Sequence, residues 1–271
     1  MAERAVLVGS LAPSSSKEWG PALGRLALGA LSVTAAFVAW ELASRASGSP
    51  LMPSIGSIVG RLADDVDSGL IWFHARITLG RGLTGFALAT VAGITLGVLM
   101  ARNRWIDAAI EPLLAATYPI PKLALYPVFL FTFGIGPASK IAIVALECLY
   151  PIAYNTYQGV RSIDRQLVHV AENAGAGRLR KFRDVFLPGA LPSILAGIRT
   201  AMPIMLVLIV VTELLGESRG LGFLIRFAGS NFEPDGALAV VLFLGIIGFI
   251  FDRLIVVATR LLVFWERGVR L

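Results

Sequence analysis

Apolar runs of membrane-crossing length alternate along this chain with short charged segments. The clearest run, Gly82 to Ala101, holds no charged residue, and a bilayer core needs about 20 apolar residues per helix. Five further runs carry isolated charges: Leu26–Ser44 with Glu41, Ala109–Phe133 with Lys122 and, near its start, Glu111, Ile141–Val160 with Glu147, Gly189–Leu215 with Arg199 and Glu213, and Ala237–Thr259 with Asp252 and Arg253. The pattern predicts an all-α membrane protein of about six transmembrane helices. These runs are too long and too continuously apolar for the alternating strands of a closed barrel. The first run starts too far into the chain and extends too long for a signal peptide, so it reads as an anchor.

Small and breaking residues refine the picture. Gly85, Ala89, Gly93 and Gly97 recur every four residues, which lines one helix face with small side chains and lets a neighbouring backbone approach. Packing within the chain is sufficient to explain the stripe, and a contact with a second copy would use the same feature. Pro119 and Pro121 interrupt the third run beside Tyr118 and Tyr126. Proline removes a backbone donor, so a bend or an unwound section is expected there. Such backbone is tolerated at membrane depth where protein or a wet cavity covers it. Between the first two runs, Pro50 and Pro53 precede a short amphipathic piece, Ser54 to Val66.

Composition agrees with a bilayer setting: 56% hydrophobic and 15% charged residues in 271, with a mean hydropathy of +0.76. With the N-terminus inside, fifteen of the 24 Lys and Arg fall on the inner side, counting Arg253 in the last run, seven on the outer side, and Lys122 and Arg199 are left within runs. That bias predicts both termini on the cytoplasmic side. The net charge of +6 is therefore a topology signal and gives no reason to invoke nucleic acid. Cys148 is the sole cysteine, and His74 and His169 fall on opposite sides, so neither a disulfide nor a metal site is expected. The sequence contains no Gly-x-x-x-x-Gly-Lys-Ser/Thr phosphate loop and no nucleophile–base constellation.

Ionisable groups inside runs are functional candidates. Lys122 and Glu147, on consecutive runs, are placed to pair. Arg199, Glu41 and Glu213 lie near run ends, where snorkelling to water is the simpler expectation. Tyr118, Pro119, Pro121, Lys122, Tyr126, Glu147 and Arg199 together form the candidate pathway set.

The charged interruption from Arg161 to Pro192 is different in kind. Leu167, Val168, Val170, Ala171, Ala174 and Leu179 supply an apolar face, while Arg165, Glu172, Arg178, Arg180 and Lys181 supply a polar one. This predicts an amphipathic helix pair of the kind that lies on a membrane or docks in a groove. Gly175 and Gly177 are expected to make the turn between its two helices.

The order His169-Val170-Ala171, three residues, Gly175, nine residues, Val185, one residue, Leu187-Pro188 resembles the cytoplasmic loop motif of the permease subunits of binding-protein-dependent ABC importers. The spacing matches throughout. The family's Glu-Ala-Ala is His169-Val170-Ala171 here. The run Tyr118–Pro127, with Phe133–Gly136, Glu213–Gly216 and Gly220–Gly222, is similar to the branch serving nitrate, sulfonate, taurine and bicarbonate importers. The likeness covers roughly residues 50 to 265.

The resemblance implies a type I importer permease fold, with a coupling helix between spans 4 and 5 that docks in a cleft on a cytoplasmic ATPase. It implies a mobile N-terminal segment, 1–25, a permease domain, 26–265, with its coupling loop at 161–188, and a cytoplasmic tail, 266–271. Two ATPase subunits would carry ATP and Mg, a second copy of the permease would complete the pathway, and an extracytoplasmic binding protein would deliver a small anionic solute. This chain would then hold no cofactor and catalyse no reaction itself, in a bacterial inner membrane. The basic residues Arg178, Arg180, Lys181 and Arg183 would meet the ATPase or anionic lipid. The competing reading is a self-sufficient carrier or channel built on Lys122 and Glu147.

Overall fold

A computed structural model describes residues 20–265, and every regular element among them is helical. The order is α1 (Gly20–Ser47), α2 (Ile55–Asp67), α3 (Leu70–Arg102), α4 (Arg104–Thr117), a 3-10 turn (Lys122–Leu125) and α5 (Tyr126–Phe133). There follow α6 (Pro137–Arg161), α7 (Arg165–Asn173), α8 (Arg178–Lys181), a π-helical turn (Phe182–Phe186), α9 (Leu187–Leu214), α10 (Leu221–Ser230) and α11 (Pro234–Leu262). The C-terminal tail and most of the segment expected to be mobile lie outside the described residues. Residues 20–25, assigned to that segment from sequence, open α1 instead.

The chain divides into two compact units between Ile55 and Gly56. In the first, the stretch after α1 folds back on it. Trp40 donates through Nε1 to the Pro53 carbonyl at 3.1 Å, and Ser44 to the Met52 carbonyl at 2.8 Å. Glu41 accepts the Ile55 N–H at 2.9 Å and is ion-paired with Arg45. Its carboxylate thus satisfies a donor at the start of α2, a role beyond reaching for water.

The second unit is built on α3, α6 and α9. The small-residue stripe of α3 faces α6 within the chain. A Cβ added at Gly85 would stand 2.7 Å from the Ile141 carbonyl, at Gly93 3.0 Å from Ile152 Cβ, and at Gly97 2.5 Å from the Ala153 carbonyl. The other side of α6 meets α9 as closely. A Cβ at Gly197 would lie 3.0 Å from the Pro151 carbonyl, and one at Gly159 2.5 Å from Ser193 Cβ. Lipid tails are as apolar as leucine, so such close van der Waals packing is what holds membrane helices together. Phe86, Ile143, Val144, Ile152, Met205 and Ile209 fill the common core. Cys148 is fully buried in it with Sγ 3.6 Å from the Ala201 carbonyl, which is the packing role its isolation suggested.

Proline opens α6 and α11, where the missing N–H would have had no helical partner. Helices α1, α3, α9 with its lead-in, and α11 are each long and apolar enough to cross a membrane. Helix α4 and the Lys122–Phe133 segment are long and apolar enough only together, and they meet at a 90° bend, the geometry of a broken span or a re-entrant loop. The break falls at Tyr118–Pro121, where the two prolines placed it. The sixth expected span is α6, whose 25 residues reach about 37 Å. It is less apolar than the other spans, carrying Lys140, Glu147 and Asn155 within it, and Glu147, Tyr150, Tyr154 and Gln158 recur at helical spacing as a polar stripe along one side.

Candidate functional site

The charged interruption folds as a helix, a turn and a second short helix. Asp164 starts α7 by accepting the Gln166 N–H at 2.8 Å, an N-cap that satisfies a free donor. The helix ends in a two-bond cap: Ala176 N–H donates to the Ala171 carbonyl and Gly175 N–H to the Glu172 carbonyl, each at 2.9 Å. This is the Schellman arrangement, and it needs a left-handed residue after the helix. Gly175 supplies it with φ of +71°. Ala171 and Gly175, four residues apart in the motif, are therefore two parts of one helix stop.

On α7 and α8 the apolar side chains Leu167, Val170 and Leu179 stand exposed, at 57%, 65% and 80%. An amphipathic helix with its apolar face uncovered is a docking element. His169 Nδ1 lies 3.5 Å from Glu172 Oε2, and Lys181 bonds Glu172 Oε1 at 2.7 Å. The Lys181 ammonium, with His169 beside it, holds the Glu172 carboxyl below its usual range. The sequence reading placed the missing family carboxylate at His169; the structure finds one a single turn later at Glu172, already clamped. The basic rim is divided as well. Lys181 is committed to Glu172 and Arg180 pairs with Asp184 at 3.4 Å, whereas among the described residues Arg178 and Arg183 enter no ion pair. Val185 lies in the π-helical turn, and Leu187 and Pro188 open α9. A concavity of about 560 Å³ beside α7 is lined by Arg102, Arg161, Arg165, His169, Glu172 and Phe186 among others.

Most of the pathway candidates gather at the broken span. Lys122 Nζ sits 3.6 Å from Glu147 Oε2 and 5.9 Å from the Tyr118 ring, so the two charges do pair. Tyr118 stacks on Tyr150 with ring centres 4.5 Å apart, and Tyr150 on Tyr154 at 5.9 Å. Pro119 and Pro121 hold the unwound backbone beside them. Two candidates lie apart. Tyr126 is 2% exposed and packs in the core. Arg199 is bonded by Nε to Asp252 Oδ1 at 2.7 Å, tying α9 to α11 beside a concavity of about 420 Å³.

A further cluster was read wrongly from sequence. Glu213, expected to reach for water, is fully buried. It accepts from Thr78 at 2.7 Å, Arg81 at 2.9 Å and Gly222 N–H at 3.2 Å. His74 Nδ1 accepts the Gly220 N–H at 2.9 Å, and Thr78 accepts the Leu221 N–H at 2.8 Å. Three successive donors at the start of α10 are thus satisfied by side chains from α3 and α9. A Cβ at Gly220, with φ of +118°, would strike the Glu213 carboxylate. Glu217 joins through Lys140 at 2.6 Å and Arg81 at 3.3 Å. Burial would raise the Glu217 carboxyl, but these cations hold it below its ordinary value. The Gly-Leu-Gly at 220–222 was the available signal for this element.

Residues 93–262 match the family described as binding-protein-dependent transport system inner membrane component. The chain belongs to this family. It is 36% identical to the formylaminopyrimidine transport permease protein of Halalkalibacterium halodurans, over 85% of this chain and 92% of that one. It is 30% identical to the taurine transport system permease protein of Escherichia coli, over 98% of this chain and 99% of that one. The fold also matches a crystal structure of an amino acid ABC transporter with histidines at a TM-score of 0.55 and 15% identity, covering 77% of this chain and 98% of that one. The permease is accordingly the membrane-embedded subunit of an ABC importer. Systems of this family work with an ATPase and a solute-binding protein on separate subunits.

Proposed function

We propose that the permease couples ATP hydrolysis on partner subunits to import of a small solute through the segment 161–188. The observation carrying this reading is the exposed apolar face of α7, stopped by the Gly175 cap at the motif's spacing. Leu167 and Val170 would enter a cleft on the ATPase, with His169, Ala171, Val185, Leu187 and Pro188 fixing the angle of entry. Arg178 and Arg183 would meet acidic groups on that subunit or anionic lipid. Two ATPase subunits would carry ATP and Mg. A second copy of the permease would face the first across the pathway, in a bacterial inner membrane with both termini cytoplasmic. Binding of solute and nucleotide would exchange outward- and inward-open populations. The cargo would be a small solute resembling those named for its relatives: a compact anion such as taurine, or a ring compound such as formylaminopyrimidine.

Affinity purification of the tagged permease from its native membrane, with mass spectrometry, tests the reading. Recovery of an ATPase subunit that Gly175→Val abolishes, with the variant still in the membrane, is expected. The open space around Gly175 makes the defect one of backbone conformation alone, at about 1–2 kcal/mol for a left-handed β-branched residue. Transport by the chain alone would favour the self-sufficient carrier.

A further inference from the structure

The polar stripe of α6 has a composition that lipid does not explain. Tyr150 lies one residue past the middle of the helix, and a bilayer concentrates tyrosine at its interfaces, not at its centre. Tyr118 and Tyr154 are nevertheless 60% and 47% exposed. Gln158 donates its amide to the Tyr154 hydroxyl at 3.1 Å. Glu147 heads this stripe, and an ionisable group within a span faces the bundle interior or a water-filled cavity and not lipid. Given the importer reading, this stripe borders the passage.

The three rings form a ladder. Tyr118 and Tyr150 are inclined by 30° and Tyr150 and Tyr154 by 8°, so the ladder presents near-parallel faces with open surface on Tyr118 and Tyr154. Its charge is balanced. The Lys122 ammonium beside Tyr118 is already opposed by Glu147 at 3.6 Å, so no free cation of this cluster is offered to a compact anion. Aromatic faces attract other flat π systems in offset stacks. Phenol hydroxyls and the Gln158 amide complement ring nitrogens and exocyclic amines at the edge of such a system.

We propose that Tyr118, Tyr150 and Tyr154, edged by Gln158, form a stacking site that passes a planar nitrogen heteroaromatic solute through the permease. The proposal rests on the importer reading and narrows its cargo. The test uses the full chain in lipid nanodiscs with riboflavin as the planar probe, because flavin emission is quenched by a stacked tyrosine. Saturable quenching is expected, relieved by 4-aminopyrimidine and unaffected by taurine. Tyr150→Leu and Tyr154→Leu should each weaken binding by about tenfold, the scale of a lost ring–ring stack, whereas Tyr150→Phe, which keeps the ring and loses one hydroxyl, should weaken it less than Tyr150→Leu does. Tyr154 is exposed, so its leucine variant tests the site without touching the core. Unchanged affinity in both leucine variants, absence of saturable quenching, or displacement by taurine would overturn the proposal. ATPase recovery from the same membranes reads the importer assignment separately. If it persists while stacking fails, only the solute class is wrong.

Discussion

Glu213 and Arg81 meet at 2.9 Å with the carboxylate wholly buried. The pair joins the end of α9 to α3 and fixes the start of α10 through Thr78 and Gly222. Removing one partner from a buried pair leaves the other charge stranded, which costs about 3–5 kcal/mol. Arg81 would retain Glu217 as a second partner, so the loss is expected at the lower end. Glu213→Ala should therefore lower the melting temperature in detergent markedly and reduce the yield of folded protein. Thr78→Val, which leaves the ion pair and removes one hydroxyl, should cost about 1–3 kcal/mol. Equal stability of Glu213→Ala and wild type would show that the cluster is dispensable.

Gly97 tests the α3–α6 contact. An added Cβ would approach the Ala153 carbonyl at 2.5 Å and Thr156 Cβ at 2.7 Å, both on a helix locked between two neighbours. Gly97→Leu is expected to destabilise by more than the 1–3 kcal/mol typical of overpacking, because backbone and not a flexible side-chain end obstructs it. Gly80→Leu on the same helix, where nothing lies within 4 Å, should be tolerated. Thermal unfolding followed by detergent gel filtration distinguishes the two.

The helical plan was legible because apolar run length reports directly on bilayer thickness, and the break at Pro119 and Pro121 because proline forces it. The stop at Gly175 was equally plain, since a helix end needs a left-handed residue whatever it docks against. What run length cannot report is the direction in which a charge points. Glu213 and Arg199 both sit near span ends, yet one is enclosed by α3 and the other bonded to Asp252. Those partners lie more than 50 residues away in sequence. Tyr126 stands among pathway candidates in sequence, yet its side chain packs with the core of α3, α6 and α9.

Acid should loosen the loop between α9 and α10 through Glu217. Its carboxyl is held below its ordinary value of 4.5, chiefly by Lys140 against the opposing effect of burial. A lowered folded-state pKa contributes stability that is present above the unfolded value and disappears as pH falls through the folded one. The melting-temperature gap between wild type and Glu217→Gln should therefore be widest above pH 4.5 and close below it. A gap that is constant across that range would mean the carboxylate charge contributes nothing.

His169 occupies the position of the family carboxylate, with Glu172 one turn further along the same side. If the ATPase reads a negative charge on this face, His169→Glu should keep ATPase recovery at wild-type level, since it restores the family residue without touching the Gly175 cap. Its cost is repulsion between two carboxylates three residues apart, about 0.2–0.5 kcal/mol on an exposed helix, and Lys181 at 2.7 Å from Glu172 offsets part of it. Glu172→Gln should then be the more damaging change, because it frees Lys181 and removes the one carboxylate now present. Co-purification of the ATPase with each variant decides the order. If His169→Glu loses the partner while Glu172→Gln keeps it, docking has been rebuilt around the imidazole, and the charge on Glu172 serves only to hold α7 against α8.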